Sequence, residues 1–359
     1  MQMSGPSGSR SDRAEVTRRR PARLTLAAAL TAVTALVATG CGGGGGDGTA
    51  TTGDGSPQAQ RTRNGVVLRA TWPLTGLDAH DAAPTHPPLV VKLDNTFSSR
   101  PQIGLRKADL VTEELVEGGM TRLAAFYDSH LPGVVGPVRS MRASDIGVVK
   151  PVDATIVTSG AAHPTIARLR KAGVHFEKDP APDFYRDNGR AAPYNLFVQL
   201  KRLAGRMKAP KEVPQPYLSW GTEKDFPGGG AAKSIQARFS RSHATEWRYR
   251  GGKYVNTNSN AAAGKDFRPE TVIVVRVREG DAGYLDPAGN KVPETIYKGT
   301  GKAVVFHHGK AVRGSWTKSG PSGALVLRTR AGTMKIPAGH TFIELLPRNS
   351  AGGRLSFSG

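Results

Sequence analysis

Apolar residues in this chain come in short runs broken by Gly, Pro, Asn and Asp. Leu89-Val90-Val91-Lys92-Leu93 ends at Asp94-Asn95, the pattern of a strand stopped by polar turn formers. Leu110 to Glu117 and Thr121 to Tyr127 flank Gly118-Gly119, which predicts a hairpin. Ala154 to Thr158 reads as another buried strand, followed by the loop Ser159-Gly160-Ala161-Ala162-His163-Pro164. A helix is then expected from about Thr165 to Ala172, with Gly173 as its C-terminal stop, and a second from about Asn195 to Met207. Strands mixed with helices predict an α+β protein whose N-terminal domain, residues 66–210, is mixed α/β.

Residues 211–234 are rich in Pro, Gly and Lys and read as an interdomain connection. Beyond them the helical signal disappears. Glu246 to Arg250 and Lys253 to Val255 flank Gly251-Gly252 as a hairpin with alternating aromatics. Thr271 to Val277, Ala303 to His307, Ala311 to Trp316, Ala324 to Arg328 and Thr341 to Leu346 are further strands. Residues 235–359 are therefore expected to form a small all-β domain, a sandwich or partly open barrel.

At the other end, Arg18-Arg19-Arg20-Pro21-Ala22-Arg23 precedes an apolar run from Leu24 to Val37 and the small residues Ala38-Thr39-Gly40. This is the layout of a secretory leader over residues 1–40, and the run is short for a spanning helix. The next residue is Cys41, the only cysteine. The arrangement predicts cleavage before Cys41, lipidation of its thiol, and anchoring on the extracytoplasmic face of the cell membrane. Both the general and the twin-arginine export routes fit the Arg run. Residues 41–65 are Gly-rich with almost nothing apolar and read as a flexible tether.

Without residues 1–40 the chain carries 44 basic against 27 acidic side chains. That excess implies a polyanion nearby, and export excludes nucleic acid in favour of lipid headgroups or cell-wall polymers. A single thiol leaves no disulfide to form. No set of His, Cys and carboxylate residues shows metal-ligand spacing, and His307-His308 on a strand would point to opposite faces, so neither metal nor cofactor is expected.

The densest polar constellation lies between Asp94 and Asn195. Asp94 and Asn95 end a strand, and Arg100 follows on a loop. Glu113 and Glu117 could act as acid and base only at helical spacing; on a hairpin they would instead pair with Arg100 and Arg122. Arg139, Ser140 and Arg142 stand at a Gly-Pro turn before a helix start. That makes a candidate anion site, unless the arginines satisfy buried acids such as Asp145 or Asp153. His163 leaves a strand end, where open sheets gather ligand groups. Ser159 lacks a nucleophile elbow, so no Ser–His pair is expected. Tyr185, Arg186, Asp187 and Asn195 lie on a long aromatic and polar loop suited to lining the same cleft.

These segments carry a resemblance. Asp94-Asn95 with Arg100-Pro101-Gln102-Ile103-Gly104-Leu105, Glu117-Gly118-Gly119-Met120-Thr121-Arg122, Gly136-Pro137-Val138-Arg139-Ser140, Phe184-Tyr185-Arg186-Asp187 and Pro337-Ala338-Gly339-His340-Thr341-Phe342-Ile343-Glu344 resemble the YerB-like lipoproteins of Gram-positive bacteria. Tyr194 stands where the family pattern has His. The resemblance implies a two-domain envelope lipoprotein and lends no activity.

The combined expectation is a lipid-anchored binding protein whose N-terminal domain takes an anionic cell-wall polymer or an envelope protein. The alternative is a peptidoglycan-type hydrolase or transferase using Glu113 or Glu117, with Arg139 and Arg142 holding an anionic group.

Overall fold

A strand buried along its whole length must be covered on both faces. β1 (Leu89–Asp94), β2 (Leu110–Leu115) and β3 (Thr121–Tyr127) are all of this kind. Their alternate side chains enter two different cores: Val91, Leu93, Ala125 and Tyr127 one, Val90, Ala124 and Phe126 the other. The computed structural model describes residues 61–63, 66–348 and 352–359. The leader over 1–40, Cys41 and the tether other than 61–63 lie outside the described residues.

After β3 the chain forms α1 (Asp145–Val149), β4 (Thr155–Thr158), α2 (His163–Lys171) and β5 (Phe176–Lys178). An antiparallel pair, β6 (Phe184–Arg186) and β7 (Leu196–Val198), leads into α3 (Leu200–Gly205). The second half supplies β8 (Ser234–Arg238), β9 (Ala244–Arg250), β10 (Lys253–Asn256), β11 (Thr271–Leu285) and β12 (Lys291–Ile296). It continues through β13 (Gly299–His307), β14 (Lys310–Lys318), β15 (Val326–Thr329), β16 (Thr341–Pro347) and β17 (Arg354–Ser358).

Strands of both halves enter one 13-stranded sheet, along the path β15, β14, β13, β11, β16, β2, β3, β1, β4, β5. The seam is β16, parallel to β11 on one side and to β2 on the other, with Glu344 opposite Glu113. A second sheet, ordered β10, β9, β8, β17, covers one face. Trp247 meets Phe342 edge-on at 4.7 Å there, and Phe357 meets Phe306 at 5.0 Å. Val148 and Val149 of α1, Leu169 of α2 and Tyr217 fill the other face. The two halves do not bury separate cores: Val91 and Phe342 share one cluster, Val90 and Ile343 the other.

The expected mixed α/β domain is not what forms. The protein is mostly β, and its longest described helix, α2, has 9 residues. Two-sided burial of strands such as Leu89–Asp94 looks like the signature of a helix-covered sheet. Here the second sheet and irregular segments supply most of the cover, so helices are not required. The helix expected over 195–207 is shortened for a related reason. Leu196–Val198 satisfies its backbone by pairing with Phe184–Arg186, and only Leu200–Gly205 coils.

Among the buried charges, Lys92 is enclosed completely and donates to Glu114 and Asp145 at 2.7 Å each, tying β1 and β2 to α1. The charged partners hold the lysine cationic despite its burial.

Candidate functional site

The predicted residues separate into three groups. The first surrounds Glu117, at the turn between β2 and β3. That turn needs two left-handed residues, supplied by Gly118 (φ 69°) and Gly119 (φ 71°). Arg142 Nε donates to Glu117 Oε2 at 3.0 Å, its terminal nitrogen also bonds Glu117, and Arg122 Nη2 adds a contact at 3.2 Å. Arg122 also donates to the Ser140 carbonyl at 2.7 Å. Arg139 pairs with Asp94 at 3.3 Å and lies 5.3 Å over the Tyr194 ring. Three guanidinium groups thus meet two carboxylates. Burial, with Arg142 close by, pushes Arg122 down to about 10. Glu117 stays below its ordinary value although burial opposes it, because Arg142 and Arg122 bind its charged form. The pairing expected of Asp145 with these arginines is limited to the Arg142 backbone N–H, at 2.6 Å, and Asp153 pairs with Lys150.

The second group is Asn95, Arg100 and Glu113, at the junction with the second sheet. Glu113 is fully buried. It accepts from Thr121 Oγ1 at 2.6 Å, Thr245 Oγ1 at 2.8 Å and Asn95 Nδ2 at 3.0 Å, and His243 Nε2 lies 2.9 Å away. Burial alone would raise its pKa; His243 and Thr121 reverse the sign and hold it below the usual carboxylate value. Its neighbour across the seam, Glu344, goes the other way. Burial and the adjacent Glu113 charge push Glu344 well above the carboxylate range, leaving it protonated beside an ionised partner, with Trp247 Nε1 donating to it at 2.8 Å. Above this pair lies a pocket of about 380 Å³ lined by Asn95, Arg100, Arg238, Arg241, His243 and Asn260, among others. Arg100 reaches Asn260 at 2.8 Å, not either predicted glutamate.

The third group is the loop. Arg186 donates to Asn195 at 3.0 Å and pairs with Asp179, Asp187 bonds its own turn at Gly189, and Tyr185 stacks on Phe197. His163 is exposed on α2, and Ser159 faces Ser140 at 3.2 Å.

A larger feature escaped the sequence reading. Arg276, Lys302, Arg313, Arg328, Arg330 and Arg354 line a groove of about 1020 Å³ between the main sheet and β17, with Phe357 at one side. No carboxylate lines it, and none of the six pairs with one among the described residues. The register explains the convergence. Lys302 is opposite Ser315, which is opposite Arg328, and Val304 is opposite Arg313. On β13 and β11 the apolar positions of one face give way to cations on that same face as it leaves the core: Val304 then Lys302, Val274 then Arg276. β14 comes close to β15 at Gly314, where a Cβ would sit 2.3 Å from the Arg328 carbonyl oxygen.

Two family models match the chain in succession. Residues 74–212 match the family model described as "Protein of unknown function (DUF3048) N-terminal domain", and residues 235–343 match its C-terminal companion. The chain belongs to this family. It is 24% identical over 293 residues to "Putative lipoprotein YerB" of Bacillus subtilis, covering 77% of this chain and 86% of that one. The crystal structure of the Bacillus subtilis YerB protein matches with a TM-score of 0.66 at 22% identity, over 81% of this chain and all of that one, so the fold is shared. The two-domain lipoprotein resemblance read from the residues is borne out.

Proposed function

We propose that this protein is a lipid-anchored, extracytoplasmic lipoprotein that binds an anionic cell-wall polymer in the groove between the main sheet and β17. One observation carries the reading: six cations converge there and no carboxylate among the described residues answers them. Charges left uncompensated on one concave wall focus potential and draw polyanions. Guanidinium groups, here five of the six, suit phosphate and carboxylate oxygens through paired N–H donors. Phe357, under Arg313 at 4.8 Å, offers an apolar side for the ligand's backbone. The family membership supports the lipoprotein half of the reading.

The test is binding of the purified protein to soluble poly(glycerol phosphate), repeated with Arg313→Ala/Arg328→Ala. Saturable, salt-sensitive binding that the double variant loses is expected. Equal binding by wild type and variant overturns the groove.

A second, enzymatic reading rests on His243. Neither Glu113 nor Glu117 suits a general acid, since both are held ionised and engaged by partners. His243, oriented by buried Glu113 and lining a pocket with Arg100, Arg238 and Arg241, has the placement of a base. Loss of turnover on wall fragments in His243→Gln, with the groove variant unaffected, would favour it.

A further inference from the structure

His307 and His308 were expected on opposite faces of a strand, and they are not. His308, with φ 47°, and Gly309, with φ 69°, form the left-handed turn between β13 and β14. The turn swings the second imidazole back over the first, so the rings stack at 4.2 Å with planes 23° apart. Both face Glu223, in the single turn Glu223–Asp225 of the connection between the halves. His307 Nε2 lies 2.9 and 3.0 Å from the two carboxylate oxygens, and His308 Nδ1 lies 3.4 Å from one of them. One ligand atom from each residue falls within 4.8 Å of the other two.

His307 is fixed from behind. It is 2% exposed, its Nδ1 lies 2.9 Å from Thr271 Oγ1, and its ring packs 5.1 Å from Phe226. Only Nε2 is left to face the carboxylate. An outer hydrogen bond on one ring nitrogen, with the other aimed into a shared point, is how proteins present histidine to a metal. Two imidazoles and a carboxylate are a zinc-type donor set, with metal–ligand distances of about 2.0–2.2 Å that put neighbouring ligand atoms ~3.3 Å apart. The separations from the Glu223 carboxylate to both histidines are already of that size.

We propose that Glu223, His307 and His308 hold a divalent transition-metal ion of the zinc class. A fourth position faces solvent past the side chains of Glu223 and His308, 57% and 47% exposed. The ion ties the 211–234 connection to the tip of the β13–β14 hairpin.

The purified chain, stripped with EDTA, is titrated with zinc chloride by calorimetry and by thermal melting. One saturable equivalent and a raised melting temperature are expected. Glu223→Gln and His308→Asn, the latter chosen because asparagine accepts a positive φ, should each weaken binding beyond the roughly 10–100-fold that loss of an outer-shell partner costs. Both variants should melt like wild type in EDTA. Absence of saturable binding, or variants that bind zinc as wild type does, overturns the site; the second result would move the ion to another group of the chain.

Discussion

Two of the places where arginine gathers among the described residues, the Glu117 cluster and the groove beside β17, behave differently. Around Glu117 the guanidinium groups are answered: buried Arg122 and Arg142 share one carboxylate, and half-buried Arg139 has Asp94. In the groove the cations are mostly exposed and, among the described residues, meet no carboxylate. The first set reads as framework, because its charges stabilise one another inside the chain. The second is left for something outside it. Crowding of arginines along a sequence therefore says less about binding than whether the fold supplies their counter-charges.

The largest effect expected from this contrast is at Glu117. Glu117→Ala strands two buried guanidinium groups, and losing one partner of a buried ion pair costs about 3–5 kcal/mol; urea denaturation reads it directly. A loss below about 1 kcal/mol, the range of exposed pairs, would place the cluster with the groove instead. Next comes Arg313→Ala/Arg328→Ala. Charge-assisted hydrogen bonds are worth about 1.5–3 kcal/mol each, so polymer affinity should fall at least about tenfold while stability stays within roughly 0.5 kcal/mol, as for ordinary surface changes.

Arg139→Ala comes third and cuts between the two regions. It removes a partner from buried Asp94, which keeps its bonds from Thr96, so a stability loss of about 1–2 kcal/mol is expected with polymer binding unchanged. The reverse pattern would move the ligand to the N-terminal cluster. The smallest effect concerns pH. Glu344 has a raised pKa when folded, so its contribution is complete below the unfolded carboxylate value and is lost as pH rises through the folded one. Glu344→Gln should therefore flatten the decline of stability toward alkaline pH and change little near pH 5. Glu113, depressed in the fold, has the opposite sign and loses its contribution as acid protonates it.

Much of the strand inventory was legible because its signals are local. Gly118-Gly119 and Gly251-Gly252 mark hairpins by conformational need, and the structure turns at both. The helix after Asn195 was only half legible, since Leu196–Val198 is drawn into pairing by a partner strand that the local pattern does not reveal. Within the candidate site, the pairing of Glu117 with Arg122, five residues away, is legible in the sequence, whereas that with Arg142, for which the sequence offers Asp145 or Asp153, is not. His243 lies 130 residues from Glu113, and the groove cations run from Arg276 to Arg354 at alternate positions of separate strands. Register is what assembles them, and register is not written in any one segment. His308 shows the same limit at the scale of one residue, where a positive φ undoes the alternation rule.

The position of β16 carries a consequence for how the chain comes to be folded. Strand β2 is made early, and its central neighbour arrives about 230 residues later in synthesis. Until then the first half holds an open, apolar strand edge, the kind that pairs with whatever strand comes first. Assembly must wait for nearly the last strand, so refolding should be slow, as long-range pairing demands. A chain cut before Thr341 would lack the piece that closes the sheet and should accumulate as aggregate, leaving neither half as a stable fragment.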